Sequence, residues 1–383
     1  MTELSKGKSF VTVVGRVKIG DRTFSGRQIS EKSGYEYARV NLGIETEEGN
    51  IVYGEMMGGY FPNRLDNKIY AVSKEDNSRM EINWNDRFNE NIIESVADYR
   101  VYNIGIKRDD NGKLIVKKFL SAYDVHDYLQ ENLEDGMLIV AKGSFAFSEY
   151  KGETQRRFMI KDILLPYQKE GKEIKMRANF VQTILLDENS YKKISKEDME
   201  EGEVVISAHV VDYVGKKDGK EIKKNIAFPI PITVKINLEK PELTKKILDT
   251  LFKVKKNKVR ELTIEGDIIE GYEQQQIDEK DIELSKDIQE LIDLGLYSKE
   301  EAIKKLMVRG NRVSKLVFTR PYLIKDKDDD NKLLLDKDDD KYKPEDLIVE
   351  IEDEEEVIVD DENPLDSEAE ESDEDWLKAL GIQ

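Results

Sequence analysis

The chain has no cysteine and only two histidines, His126 and His209, among its 383 residues. Structural disulfides and cysteine-based zinc sites are therefore excluded. The two imidazoles stand isolated in sequence and read as ordinary packing or surface groups. No apolar run approaches the roughly 20 residues needed to span a bilayer, so no membrane partner is expected. The opening Met1-Thr-Glu-Leu-Ser-Lys lacks a secretory pattern, which gives a cytoplasmic expectation. Phosphate-cradling G-x-x-x-x-G-K, paired-histidine and G-x-S-x-G motifs are all missing, so enzymatic readings fare poorly and no cofactor or metal is expected. Aspartate-rich runs invite a calcium-loop reading, with Asp326, Asp328 and Asp330 at ligand positions one, three and five. Position six is Asn331 instead of glycine, position twelve is Lys337 instead of glutamate, and the second run fails similarly at Leu347.

Charge, by contrast, is plentiful and unevenly placed. Charged residues make up 37% of the chain and the net charge is −20. Residues 325–383 carry 26 acids against 7 bases, a net of −19, which leaves 55 acids and 54 bases in residues 1–324. The body is near neutral, so the overall acidity does not argue against a polyanionic ligand. From Lys325 the runs Asp326-Lys-Asp-Asp-Asp and Asp336-Lys-Asp-Asp-Asp are followed by Glu352–Glu356 and Ser367–Asp375. Such segments bury too little apolar area to offset chain entropy, and 325–383 is expected to be a disordered acidic tail. Its tip is different. Ser372-Asp-Glu-Asp375 can cap a short helix whose apolar stripe is Trp376, Leu377, Leu380 and Ile382. An exposed tryptophan on a charged tether points to a peptide that docks partner proteins. The blander alternative is a solubilising tail whose last turn packs on its own domain.

Hydrophobic alternation organises the rest into two β-rich units, 1–168 and 172–324. In the first, Phe10 to Ile19 alternates with Val11, Val13, Val17 and Ile19 on one face. A second run puts Ala38, Val40, Leu42 and Ile44 on one face and Tyr35, Tyr37, Arg39 and Asn41 on the other. A third strand spans Ile51 to Met57. An insertion at about 58–132 contains a hairpin around Asp109-Asp110-Asn111-Gly112 and a short helix over Tyr123 to Asn132. Met137–Phe147, a loop at Tyr150-Lys151-Gly152-Glu153, and Gln155–Leu165 complete the unit. Five strands with a helical element before the fourth is the arrangement of an OB-fold barrel.

The second unit repeats the plan, with strands at Met176–Leu186, Val204–Val214, Ile226–Ile236, Val259–Glu270 and Val313–Leu323. A helix over Pro241–Phe252 starts with proline at its first position, where the missing N–H costs nothing. A helical insertion at about 285–309 pairs Ser285–Leu294 with a second helix capped by Ser298 and Glu301. That pair offers a helix-turn-helix reading with Arg309 and Arg312, but the acidic start Lys299-Glu300-Glu301 suits capping better than duplex contact. The fold class predicted is mainly β with some α: two tandem OB-fold-like barrels and an acidic tail.

Gly136-Met-Leu-Ile-Val-Ala-Lys-Gly143-Ser-Phe145, followed by a looped hairpin from Tyr150-Lys-Gly-Glu to Arg156-Arg-Phe158, resembles the fourth-strand pattern of bacterial and phage single-stranded DNA-binding proteins. Those proteins also end in an acidic tail with a short apolar tip. The resemblance implies single-stranded DNA as ligand, no chemistry, and replication, recombination or repair proteins as tail partners. This chain is longer, carries the 58–132 insertion, and ends Trp-Leu-Lys-Ala-Leu-Gly-Ile-Gln383 without the familiar proline-phenylalanine. Such departures fit a bacteriophage protein acting in the host cytoplasm.

The residues suited to a single strand are aromatics for stacking and cations for phosphates. Tyr35, Tyr37, Arg39 and Asn41 on strand two lie beside Arg16 and Lys18 of strand one. Phe147, Tyr150, Lys151, Arg156, Arg157 and Phe158 lie at or near the loop between strands four and five. In the second unit Arg177 with Lys216, Lys217, Lys220, Lys223 and Lys224 offers a phosphate-tracking edge, or a solvated turn around Asp218-Gly219. The competing reading of the tyrosines is that they merely cover a barrel exterior, since aromatics favour strands. A competing function is a non-enzymatic scaffold whose OB-like units bind protein. Oligomeric state is not legible.

Overall fold

Alternation sets the first strand: β1 (Ser9–Lys18) buries Val11, Val13 and Val17 and exposes Phe10, Arg16 and Lys18. The computed structural model describes residues 2–348 apart from 32, 48, 168–172, 218–219, 273–284, 297, 299–311, 327–328 and 330. The chain is mainly β. After β1 come β2 (Phe24–Ile29), β3 (Glu36–Glu47), β4 (Asn50–Tyr60), β5 (Lys68–Val72), β6 (Arg79–Asn83), α1 (Glu90–Ser95), β7 (Tyr102–Arg108), β8 (Leu114–Phe119), α2 (Ala122–Asn132), β9 (Leu138–Tyr150) and β10 (Glu153–Leu164). The second half contains β11 (Arg177–Leu186), α3 (Lys196–Glu201), β12 (Glu203–Lys217), β13 (Lys220–Lys235), α4 (Pro241–Leu251), β14 (Arg260–Tyr272), α5 (Lys286–Asp293) and β15 (Arg312–Pro321). Three short strands follow: β16 (Leu323–Lys325), β17 (Leu333–Leu335) and β18 (Lys337–Asp338).

Two circuits of strand pairing close. In the first, β1 pairs β3, β3 pairs β4, β4 pairs β10 in parallel, β10 pairs β9, and β9 returns to β1. The core holds Val13, Val40, Leu42, Ile44, Phe145 and Ile160, and α2 contributes Val125 and Leu129 to it. Ser121 caps that helix by accepting from the Tyr123 amide. At Gly143 the β10 backbone comes so near that an added Cβ would lie 1.8 Å from the Met159 carbonyl oxygen. Only glycine tolerates that approach, next to the β-bulge between Ile160 and Asp162.

The second circuit runs β11–β12–β13–β15–β14 and back to β11, with β13 and β15 parallel. Phe180, Ile206, Phe228 and Leu262 lie in its core, and α4 seats Thr244, Leu248 and Leu251 against it, with Pro241 in its first turn as expected. Pro229 and Pro231, which lack an N–H, lie on β13 where its only pairing among the described residues is with β12. The pairings β1–β11 and β4–β14 merge both circuits into one 14-stranded sheet.

The insertion between β4 and α2 forms a hairpin, β5–β6, and the pair β7–β8, which extends the first circuit through β7 on β10. It has a small core of Ala71, Ile82, Val96, Val101 and Leu120. The Asp109–Gly112 turn falls where expected. Of the anticipated helix pair, α5 is present, and the second helix lies outside the described residues.

The acidic segment departs from its expectation. Composition alone predicts no structure after Lys325, yet 331–348 packs on the second circuit. β17 pairs β16, β18 pairs β14, and Tyr342 and Asp346 are buried. Distant cations and an apolar seat supply what the local composition lacks: Tyr342 packs with Leu4, Leu185, Val211, Ala227 and Val259. Lys8 meets Asp336 at 2.7 Å, Lys258 meets Asp340 at 2.5 Å, and Arg260 meets Asp339 at 2.5 Å. Residues 349–383, including Trp376, Leu377, Leu380 and Ile382, lie outside the described residues.

Candidate nucleic-acid interface

With Ala38, Val40, Leu42 and Ile44 turned inward, β3 has no choice but to present Tyr37, Arg39, Asn41, Gly43 and Glu45 outward. Across the ladder these oppose Gly59, Met57, Glu55, Tyr53 and Ile51 of β4. Tyr53 is 56% exposed. Its ring edge uses the room opposite glycine, since a Cβ on Gly43 would stand 3.2 Å from Tyr53 Cε1.

Two guanidinium groups flank the middle of this face. Arg39 donates from Nη2 to Met57 Sδ at 3.3 Å, and Arg157 of β10 donates from Nη1 to Glu55 Oε1 at 3.2 Å. The Nε–H of each is buried without an acceptor. Buried donors are normally paired, so two orphans on one face call for an explanation. The Tyr37 hydroxyl donates to Gln28 Oε1 at 2.7 Å, which ties the face to β2. Asn41 donates from Nδ2 to the Arg22 carbonyl at 3.4 Å.

At one end, Arg16 donates to the Gly136 carbonyl at 3.1 Å and Lys18 pairs with Glu45 at 2.9 Å. The bond to Glu45 and its charge hold the Lys18 ammonium above its usual pKa. At the tip of the β9–β10 hairpin, Tyr150 is exposed and Lys151, at φ 52°, places Nζ 5.2 Å from its ring.

No protein-family model and no curated protein matches the sequence. Two solved structures of the single-stranded DNA binding protein from Thermus aquaticus, a deletion mutant and the wild type, are similar in part. The deletion mutant is 9% identical, with 69% of this chain and 88% of that one covered at a TM-score of 0.30. The wild type is 10% identical, with 70% and 87% covered at a TM-score of 0.29. Likeness that loose carries no argument, and the functional reading rests on this chain's own residues.

Several sequence-chosen residues lie elsewhere. Tyr35 is buried, its ring 4.9 Å from Phe61 and 6.3 Å from Tyr37. It precedes β3, just after the left-handed turn at Gly34, so the strand's alternation does not extend to it. Phe147 and Phe158, both 4% exposed, belong to the core. Both lie on strands, as expected, but near the hairpin loop they occupy inward positions of the β9–β10 ladder instead of facing a ligand. Arg156 shares that inward parity. Its guanidinium lies 5.2 Å from the Phe145 ring and Nη2 donates to Glu270 Oε1 at 3.0 Å and Ser314 Oγ at 2.9 Å, which joins the two circuits. Burial pushes its pKa down, against the pull of Glu270. Arg177 is exposed at the start of β11, opposite Val14.

The second circuit offers a poorer surface. On the outer face of β12 and β13, Val211 and Ala227 are covered by Leu4 and Tyr342, and beyond them stand Val205, Ser207, Pro229 and Pro231. Lys223 and Lys224 are exposed, and the side chains of Lys216, Lys217 and Lys220 lie outside the described residues.

Sequence reasoning missed Tyr53, although the alternation of Ile51 to Met57 puts it on the same side as Glu55 and Met57. It also missed the arginine–aromatic stacks of the insertion. Arg64 lies 3.9 Å from the Phe61 ring, Arg79 lies 4.7 Å from Tyr70, and Arg87 lies 4.3 Å from both Trp84 and Phe88. Nothing periodic marks that stretch.

Proposed function

We propose that the chain is a non-enzymatic single-stranded DNA-binding protein whose first circuit, an OB-type barrel, holds the strand on the outer face of β3 and β4. The observation that carries this is the joint presence there of Tyr37, Arg39, Asn41 and Tyr53, with Arg157 beside them on the neighbouring β10. Tyrosine faces stack bases without regard to sequence, and guanidinium groups bond phosphate oxygens in pairs. The strand 2–3 face together with the loop between strands 4 and 5 is where OB-folds bind oligonucleotides, which places Tyr150 and Lys151 at its rim. Arg16 and Lys18 extend the track along β1, and Arg177 lies next to it on β11. The second circuit has the same strand order and acts as a buttress, because its corresponding face is partly covered by 331–348. The tail, through Trp376, Leu377, Leu380 and Ile382, recruits replication or recombination proteins, and a bacteriophage origin with action in the host cytoplasm suits the whole.

Fluorescence anisotropy with labelled oligo-dT and matched duplex, over a salt series, tests the reading. Preference for the single strand is expected. With the six cations of this track, Arg16, Lys18, Arg39, Lys151, Arg157 and Arg177, the slope of log K against log salt should approach about −4 for a single strand. Absence of oligo-dT binding at low salt refutes it.

A further inference from the structure

Helix α4 leaves an apolar stripe unburied. Thr244, Leu248 and Leu251 face the second circuit's core, while Leu243 and Ile247, one turn apart and adjacent to that buried stripe, remain about half exposed. Leu238, ahead of the helix, is exposed as well. Around them stand Lys240, Lys245, Lys246, Lys255 and Lys256, all exposed and none with an acidic partner among the described residues. Two cations just beyond the helix are already matched: Lys258 and Arg260 hold Asp340 and Asp339. A greasy stripe rimmed by unmatched lysines is complementary to a segment that is acidic and ends in large apolar side chains.

The chain supplies such a segment. Residues 349–383 carry 16 acids and a single lysine, and their last eight include Trp376, Leu377, Leu380 and Ile382. Nine residues before Ile348 the chain passes the C-terminal end of α4. Arg260, which grips Asp339, also donates to the Thr250 and Leu251 carbonyls in the last turn of α4, at 2.9 Å each. A flexible connection of about 28 residues from Ile348 to Trp376 has a root-mean-square span of roughly 30 Å. The 11-residue helix is about 16 Å long. Tethering of this kind gives millimolar effective concentrations, so even a weak contact is populated.

We infer that the apolar tip Trp376–Ile382 docks on the Leu243–Ile247 stripe of α4 in the same chain, with the preceding acidic run lying over the surrounding lysines. The docked tip is withheld from other proteins until a partner competes for it. This inference stands apart from the single-strand reading, since it uses neither β3 nor β4.

The absence of native cysteine makes the test direct. Glu242→Cys and Gln383→Cys, spin-labelled together in the full-length protein, report the distance between helix and tip by pulsed dipolar spectroscopy. A narrow distribution well inside the ~30 Å free-chain span is expected. It should broaden when Leu243→Ser and Ile247→Ser are added, and also at high salt. Both leucine and isoleucine are surface positions, and an unchanged melting curve checks that the variant is folded. A broad distribution in the parent, identical to that of the serine variant, overturns the proposal. So does a short distance that disappears on dilution with unlabelled protein, which would put the tip on a second copy.

Discussion

Tyr53→Ala separates a stacking platform from a merely covered barrel wall. The ring is more than half exposed and stands opposite a glycine, so little packing depends on it. Loss of fold stability should stay under about 1 kcal/mol, the span of strand propensity at a surface position. If a base stacks on the ring, the cost in binding is about 1–3 kcal/mol, or roughly 5- to 150-fold in Kd. Because the side chain is neutral, the salt slope should not change, whereas Arg39→Ala should make it shallower by about 0.7. Tyr53→Phe keeps the π-face and should bind like the parent. The assay is anisotropy with labelled oligo-dT at three or more salt concentrations, with thermal melting as control. If Tyr53→Ala binds within twofold of the parent while melting normally, the face is not where bases lie.

Other outcomes follow from the same geometry. Phe158→Ala should reduce unfolding free energy by about 3–5 kcal/mol in denaturant titrations, because the ring is core and not interface. An interfacial ring would instead lower affinity and leave stability alone. Gly143→Ala should lower stability by about 1–3 kcal/mol or more, since a methyl group there meets the Met159 carbonyl; an unchanged denaturation midpoint would contradict the close approach. Acid should release the 331–348 segment. Burial pushes Asp339 up, but Arg260 and Lys337 together hold it below its ordinary value; at Asp346 the Lys343 and Thr2 amides likewise outweigh burial. Folded values below the unfolded 3.8 mean that the stabilisation is complete above that pH and is lost as pH falls through the depressed values. Pepsin should therefore cut between Asp336 and Ile348 only under strongly acidic conditions, and cleavage already complete near pH 5 would contradict the assignment. His209, whose pKa burial lowers, should cost stability as pH drops through about 6.5, where the unfolded chain gains a proton the native one refuses. His209→Gln should flatten that part of the stability profile.

How much of this was legible in the sequence depends on how far each determinant lies along the chain. Alternation in Phe10–Ile19 and Ala38–Ile44 marks strand and facing together, because a period of two is a local property. Pro241 marks the start of α4 for the same reason. Phe147 and Phe158 mislead because an aromatic beside a hairpin loop suits a core as well as a ligand, and the packing of the distant strands decides which side it faces. Arg156 reads as a phosphate contact until Glu270, more than a hundred residues away, arrives beside it. The acidic segment fails in the same manner: Asp336, Asp339 and Asp340 look solvated in their own window, and their partners Lys8, Arg260 and Lys258 are remote. Tyr53 was within reach of the alternation rule, which puts it on the same face of β4 as Glu55 and Met57.

The amide of Thr2 donates to Asp346 Oδ1 at 2.6 Å, and Ser5 Oγ lies 2.8 Å from the Tyr342 hydroxyl. The two ends of the described body are thus fastened to each other, and for anyone building variants this is a practical constraint. A purification tag placed ahead of Thr2 would crowd the seat of Tyr342. A short linker from Ile348 back to Thr2 should allow new termini to be opened at the β9–β10 turn, which gives a circularly permuted form carrying a label at the rim of the proposed DNA track.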